Sequence, residues 1–140
     1  MSIHVVHIED DQALQEILKS AYEAVAPSAV IQQFAQADSA LPYIEEHCGT
    51  IDLFVIAIQL PGMTNGLQLA QQIRVLGCPG SIILTSTSVR PSAAMLESLR
   101  SEYYPKPWHI YDIAPRLLQY QLPKAEPPAT SIAPPPDTTP

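Results

Sequence analysis

Asp52 to Gly66 reads DLFVIAIQLPGMTNG, and this stretch decides the fold. Leu53 to Ile58 (LFVIAI) is the most apolar run in the chain, too short for a free-standing helix and bounded by turn residues. A run of that kind is a strand buried on both faces, as in the middle of a parallel sheet. Pro61, Gly62, Asn65 and Gly66 then make a turn. The next segment places Leu67, Ala70, Ile73 and Leu76 at helical spacing, so a helix with these residues inward follows the strand.

The same alternation extends in both directions. Ile3 to Ile8 is short, β-branched and closed by acids, which predicts a first strand. Asp11 is placed to cap a helix whose Leu14, Ile17, Leu18, Ala21, Tyr22 and Val25 recur every three or four residues until Pro27. Ala29 to Phe34 reads as the second strand. Asp38 or Ser39 then caps a helix through about His47, with Pro42 in its first turn. Ser81 to Thr85 is a fourth strand, Ala93 to Ser101 a fourth helix with Pro91 near its start, and Glu102 to Tyr104 a short fifth strand. Ile110 to Gln121 is a final helix, which starts late or kinks at Pro115. Strands alternating with helices predict an α/β fold of the flavodoxin-like, doubly wound (βα)5 type, with a five-stranded parallel sheet.

Residues 1–122 make one domain. From Pro123 onward PKAEPPATSIAPPPDTTP has almost no large apolar residues and cannot build a core, so residues 123–140 read as a Pro-rich tail or linker. A ligand for a proline-recognition module is the sharper alternative for that segment.

The bulk numbers narrow the function. The 140 residues are one domain's length, and 46% hydrophobic content is enough for a core without staples. Cys48 and Cys78 are too few for a disulfide framework and form no CxxC, so they read as two reduced thiols in a cytosolic protein. No apolar run approaches the roughly 20 residues that span a bilayer, and acids directly follow the apolar start of MSIHVVHIEDD, unlike a signal peptide. The expectation is a cytoplasmic protein with no membrane contact. A net charge of −7 with no basic stripe argues against nucleic acid as a partner.

In open parallel sheets, sites gather at the carboxyl ends of the strands. Here those ends carry Glu9, Asp10 and Asp11 after the first strand, Ala57 to Pro61 after the third, Thr85 to Thr87 after the fourth, and Tyr103 to Pro107 after the fifth. Three consecutive acids repel one another, and a hard cation such as Mg²⁺ takes one or two carboxylates plus water and phosphate. Glu9 and Asp10 are suited to supply them. A lysine and a hydroxyl, Lys106 and Thr85, suit the charge on transferring phosphoryl oxygens. A nucleophilic carboxylate is the missing part, since none stands at the end of the third strand. Plainer roles compete: a surface lysine at Lys106, a β-former at Thr85, edge packing at Tyr103. His7 reads as a hydrogen-bonded core histidine rather than a sensor.

Taken in order, HVVHIEDD, DLFVIAIQLPGMTNG, SIILTS and YYPKPW resemble the signature of two-component response-regulator receiver domains, over residues 3–121. The resemblance implies a metal site of Glu9, Asp10 and the backbone carbonyl of Gln59. It implies Thr85 as switch hydroxyl, Tyr103 as switch aromatic and Lys106 as the site lysine. Family members carry aspartate where this chain has Ala57, which removes the phosphoacceptor and one metal ligand. The turn TNG is also one residue longer than usual.

The resulting expectation is a phosphorelay signalling module rather than an enzyme, working through protein contacts and not phosphorylatable at position 57, with Mg²⁺ held weakly. Ala57 is either natural, giving a phosphorylation-independent pseudo-receiver, or a substitution in an ordinary receiver; the intact Glu9, Asp10, Thr85 and Lys106 favour the second. The implied partners are a sensor histidine kinase or phosphotransfer protein and an output protein met by the fourth helix, fifth strand and fifth helix. Met95, Leu96, Leu99, Tyr103, Tyr104 and Tyr111 lie on those elements, and a homodimer is a further option. Two readings from other classes are weaker. A flavodoxin-like cofactor binder would need a phosphate-cradling loop where EDD stands. A small phosphatase-like enzyme would use Asp10 or Asp11 as nucleophile.

Overall fold

A computed structural model describes residues 3–106. The last predicted helix, its Pro115, Tyr111 and the Pro-rich tail lie outside the described residues.

Five strands run parallel: β1 (His4–Ile8), β2 (Val30–Phe34), β3 (Leu53–Ala57), β4 (Ser81–Ser86) and β5 (Ser101–Pro105). Their order is β2-β1-β3-β4-β5, which places β3 at the centre. All five β3 residues are buried, as the unbroken apolar run requires. Edge strand β2 is different. Its sequence VIQQF carries two glutamines, and Val30 is 46% exposed.

Side chains alternate across the sheet and divide the core in two. On one face Val6, Ile8, Phe54, Ile56, Ile82 and Leu84 meet α2 (Ala37–His47) and α3 (Gly66–Val75), with Leu99 at the end of α4 (Ala93–Ser98). On the other, Val5, Leu53, Val55 and Ile83 meet Leu18 and Tyr22 of α1 (Gln12–Val25). The doubly wound (βα)5 expectation therefore holds for the elements described.

Asp11 caps α1 as expected, its carboxylate accepting from the Ala13 and Leu14 amides at 2.9 and 3.3 Å. Ile17 of that helix is 48% exposed, so its apolar stripe is narrower than the periodicity suggested. In α2 neither Asp38 nor Ser39 is the cap. The helix starts at Ala37 after Gln36, which makes no side-chain capping bond, and Pro42 sits inside it. Asp38 instead accepts the Met63 amide at 3.1 Å, a long-range contact that local spacing does not show. In α3 the buried residues are Gly66, Leu69, Ala70 and Ile73, and Leu76 is 42% exposed. The phase is set by the reciprocal bonds between Asn65 and Gln68 that start the helix.

The cysteines differ from the sequence expectation. Cys48 and Cys78 are joined as a disulfide, with Cα atoms 4.9 Å apart. Both α2 and α3 run back to the amino end of the sheet on one face. The residues that follow them are therefore neighbours, although 30 positions separate them.

Candidate functional site

The site lies at the carboxyl ends of β1, β3, β4 and β5. Parallel pairing sets Ala57 beside Thr85, and alternation puts His7, Glu9, Ala57 and Thr85 on one face of the sheet. The start of α3 crosses directly above. The Gly66 amide donates to the Ile58 carbonyl at 2.8 Å, and a Cβ on Gly66 would stand 2.0 Å from the Ala57 carbonyl oxygen. Only glycine permits that crossing, so Gly66 fixes how closely the loop Ile58–Asn65 folds over the strand end.

Glu9 is 2% exposed, and both of its oxygens are engaged. Oε1 pairs with Lys106 Nζ at 2.7 Å, and Oε2 accepts the Asp11 amide at 3.0 Å. Lys106 is itself held, because its backbone amide donates to the Ser86 carbonyl at 2.9 Å. Asp10 is exposed at the edge, and Gln59 is exposed in the loop after β3. A hard cation arriving here would thus find Asp10 open, Glu9 already neutralised by Lys106, and no carboxylate at position 57. Among the described residues no group of three or more His, Cys, Asp or Glu is arranged to hold a metal ion.

Thr85 is 2% exposed, and its Oγ1 has no hydrogen-bond partner among the described residues. A buried hydroxyl without a partner costs free energy. Tyr103 is half-buried on the opposite face of the sheet, its hydroxyl donating to the Ser86 carbonyl at 3.1 Å and the Arg90 guanidinium 5.2 Å from its ring centroid. Ser86 is thus a junction. Its carbonyl receives both the Tyr103 hydroxyl and the Lys106 amide, and its Oγ accepts the Ser88 and Val89 amides at 3.1 and 2.9 Å. Sequence reasoning passed over Ser86, although a serine followed by a short polar turn is the local pattern of such a bond.

His7 is a core histidine, 1% exposed. The Gln33 amide donates to its Nδ1 at 3.1 Å, and Gln33 in turn donates to the Gln15 carbonyl at 2.7 Å. Burial, and then the charge of Lys106, push its pKa down to about 3. At neutral pH the ring is uncharged, so Lys106 faces no second cation from His7.

Comparison with protein-family models matches residues 5–117 to the response regulator receiver domain. The chain belongs to the response regulator receiver family. A comparison with curated proteins found no match. Among solved structures, this receiver superposes with TM-score 0.74 on a CheY-like receiver domain protein from Methanospirillum hungatei JF-1, at 19% identity over 86% of this chain and 94% of that one. The receiver domain of sensor histidine kinase PA1611 from Pseudomonas aeruginosa PAO1 has magnesium coordinated in its active-site cleft. It matches with TM-score 0.69 at 16% identity, over 86% of this chain and 98% of that one. The Saccharomyces cerevisiae receiver domain of Ssk1, crystallised with the phosphotransfer protein Ypd1, matches with TM-score 0.71 at 20% identity, over 85% and 88%. These likenesses establish the fold, and the family match makes the chain a receiver domain of two-component signalling. No helix among the described residues is long and apolar enough to cross a membrane.

Proposed function

We propose that this receiver signals through protein contacts and takes no phosphate at the end of β3, where Ala57 occupies the acceptor position. One arrangement carries the reading. At the strand end where an acceptor carboxylate would face Thr85 there is a methyl group, and Lys106 is already paired with buried Glu9. Alanine offers no nucleophile, and Lys106 has no acceptor carboxylate to partner.

Asp10, Glu9 and the Gln59 carbonyl remain the groups that would meet a divalent cation. Mg²⁺ affinity is weak, because Lys106 must leave Glu9 before that carboxylate can serve. Thr85 and Lys106 would assist phosphoryl transfer, and Thr85 with Tyr103 would report it, only where position 57 supplies a carboxylate.

The intact Glu9, Thr85 and Lys106 favour a receiver whose chemistry an aspartate at 57 would restore. The closed Glu9–Lys106 pair favours the second reading, a pseudo-receiver stable in one state. The partners proposed are a histidine kinase or phosphotransfer protein on the site edge and an output protein on α4 and β5. On those elements Met95, Leu96, Tyr103 and Tyr104 are half-buried, whereas Leu99 is buried and drops out of the contact surface. Phosphorylation of the chain and of Ala57→Asp, read by intact mass, separates the two readings. An aspartate form that binds Mg²⁺ but takes no phosphate supports the pseudo-receiver.

A further inference from the structure

The carboxyl edge is not the only place where separate elements are tied together. At the opposite, amino end of the sheet the short connection Leu76–Gly80 between α3 and β4 is held from two sides. On one side Cys78 is bonded to Cys48, the residue that ends α2. On the other, Arg74 in the last turn of α3 spreads its guanidinium over four carbonyls. Nη1 donates to Cys78 and Gly80 at 2.9 Å each, Nε to Leu99 at 2.6 Å and Nη2 to Arg100 at 2.9 Å. Leu99 and Arg100 are the corner between α4 and β5, where Arg100 holds a left-handed φ of 50°. That corner is conformationally demanding for a residue with a side chain, so it depends on what braces it.

A continuous chain of strong contacts therefore runs from the end of α2 through the disulfide, the 78–80 backbone and the Arg74 fork to the α4–β5 corner. We propose that Cys48–Cys78 is a reversible redox link that stiffens the α4–β5 corner when oxidised and loosens it when reduced. Both states are compatible with the fold. Cys78 is fully buried in the core cluster, where a thiol fills the same place as a half-cystine, and Cα atoms 4.9 Å apart meet the reach of the bond without backbone movement.

Access sets the direction of attack. Cys48 is half-buried whereas Cys78 is enclosed, so a reductant thiolate reaches the Cys48 sulfur. The S–S bond breaks, and the Cys78 sulfur leaves as a thiolate and takes up a proton. The second thiolate of a dithiol reductant then attacks the reductant sulfur bonded to Cys48, closing a cyclic disulfide and expelling the Cys48 thiolate, which takes up a proton and leaves two protein thiols. Oxidation reverses this, with two electrons passing to a disulfide such as oxidised glutathione.

The signalling meaning rests on the reading of α4 and β5 as the output surface, but the coupling can be measured without phosphate or a partner. The experiment is amide hydrogen exchange on the full chain, oxidised and after dithiothreitol, with intact mass confirming the gain of two hydrogens. Exchange in residues 97–104 is expected to quicken by about threefold or more on reduction. It is expected to be equally quick in Cys48→Ser with or without dithiothreitol. In Arg74→Gln, reduction should loosen the end of α2 but leave 97–104 unchanged. Unchanged exchange in 97–104 of the wild-type chain with the bond shown broken would overturn the coupling. So would an Arg74→Gln chain that still transmits the effect. Failure of dithiothreitol to open the bond in the folded chain, or of oxidised glutathione to restore it, would overturn reversibility.

Discussion

His7 gives the chain an acid sensitivity whose size follows from where it is buried. An exposed histidine protonates near its ordinary value of 6.5, whereas in the fold His7 resists protonation down to about 3. Between those values the unfolded chain binds a proton that the folded chain does not, so stability rises with pH across this window. The histidine's stabilising contribution is complete above 6.5 and is lost as pH falls toward 3. By pH 5 the loss from this one residue is about 2 kcal/mol, at about 1.4 kcal/mol per pH unit below the unfolded value. His4, lowered by burial and by His47, adds a smaller loss in the same direction. The assay is urea unfolding at pH 7.5, 6 and 5 for the wild-type chain and His7→Phe. The variant starts less stable, because the Gln33 amide loses its acceptor, but its stability should fall by about 2 kcal/mol less over the range. Equal slopes for the two proteins would refute the assignment of His7 as a buried neutral base.

The other expectations come from single contacts. Gly66→Ala drives a methyl against the Ala57 carbonyl at 2.0 Å and should lower stability by about 3 kcal/mol, seen as a reduced urea midpoint. Glu9→Gln leaves the Lys106 ammonium, only 12% exposed, without its carboxylate. The cost should be about 3 kcal/mol, with part recovered in Glu9→Gln/Lys106→Met, and a double-mutant cycle checks it. Breaking Cys48–Cys78, which closes a separation of 30 residues, should lower stability by about 3.5 kcal/mol in unfolding measured with and without dithiothreitol.

The sheet was legible because its signals are local. LFVIA reads as a strand covered on both faces, and its alternation with helical segments pointed to a parallel sheet, although the strand order was not read from it. Asp11 was legible as a cap for the same reason. What escaped was tertiary. Asp38 left its capping role for the Met63 amide, and Cys48 met Cys78 only because two helices return to one edge. At the site, strand ends told which residues gather but not how they pair. Lys106 was read as the site lysine for phosphoryl oxygens, with no partner named for it in this chain, whereas a buried Glu9 claims it. Pairing of that kind depends on burial, which spacing does not encode.

The chemistry of position 57 decides whether this receiver can take phosphate at the end of β3. Each of the two forms, the chain as given and Ala57→Asp, is incubated with acetyl phosphate and Mg²⁺ and weighed intact by mass spectrometry. The chain as given should gain no phosphoryl group, because Ala57, beside Thr85, offers no nucleophile and Lys106 is held by Glu9. Ala57→Asp should gain one, and should lose that capacity again in the Lys106→Ala background. A stoichiometric phosphoryl adduct on the chain as given would contradict the account.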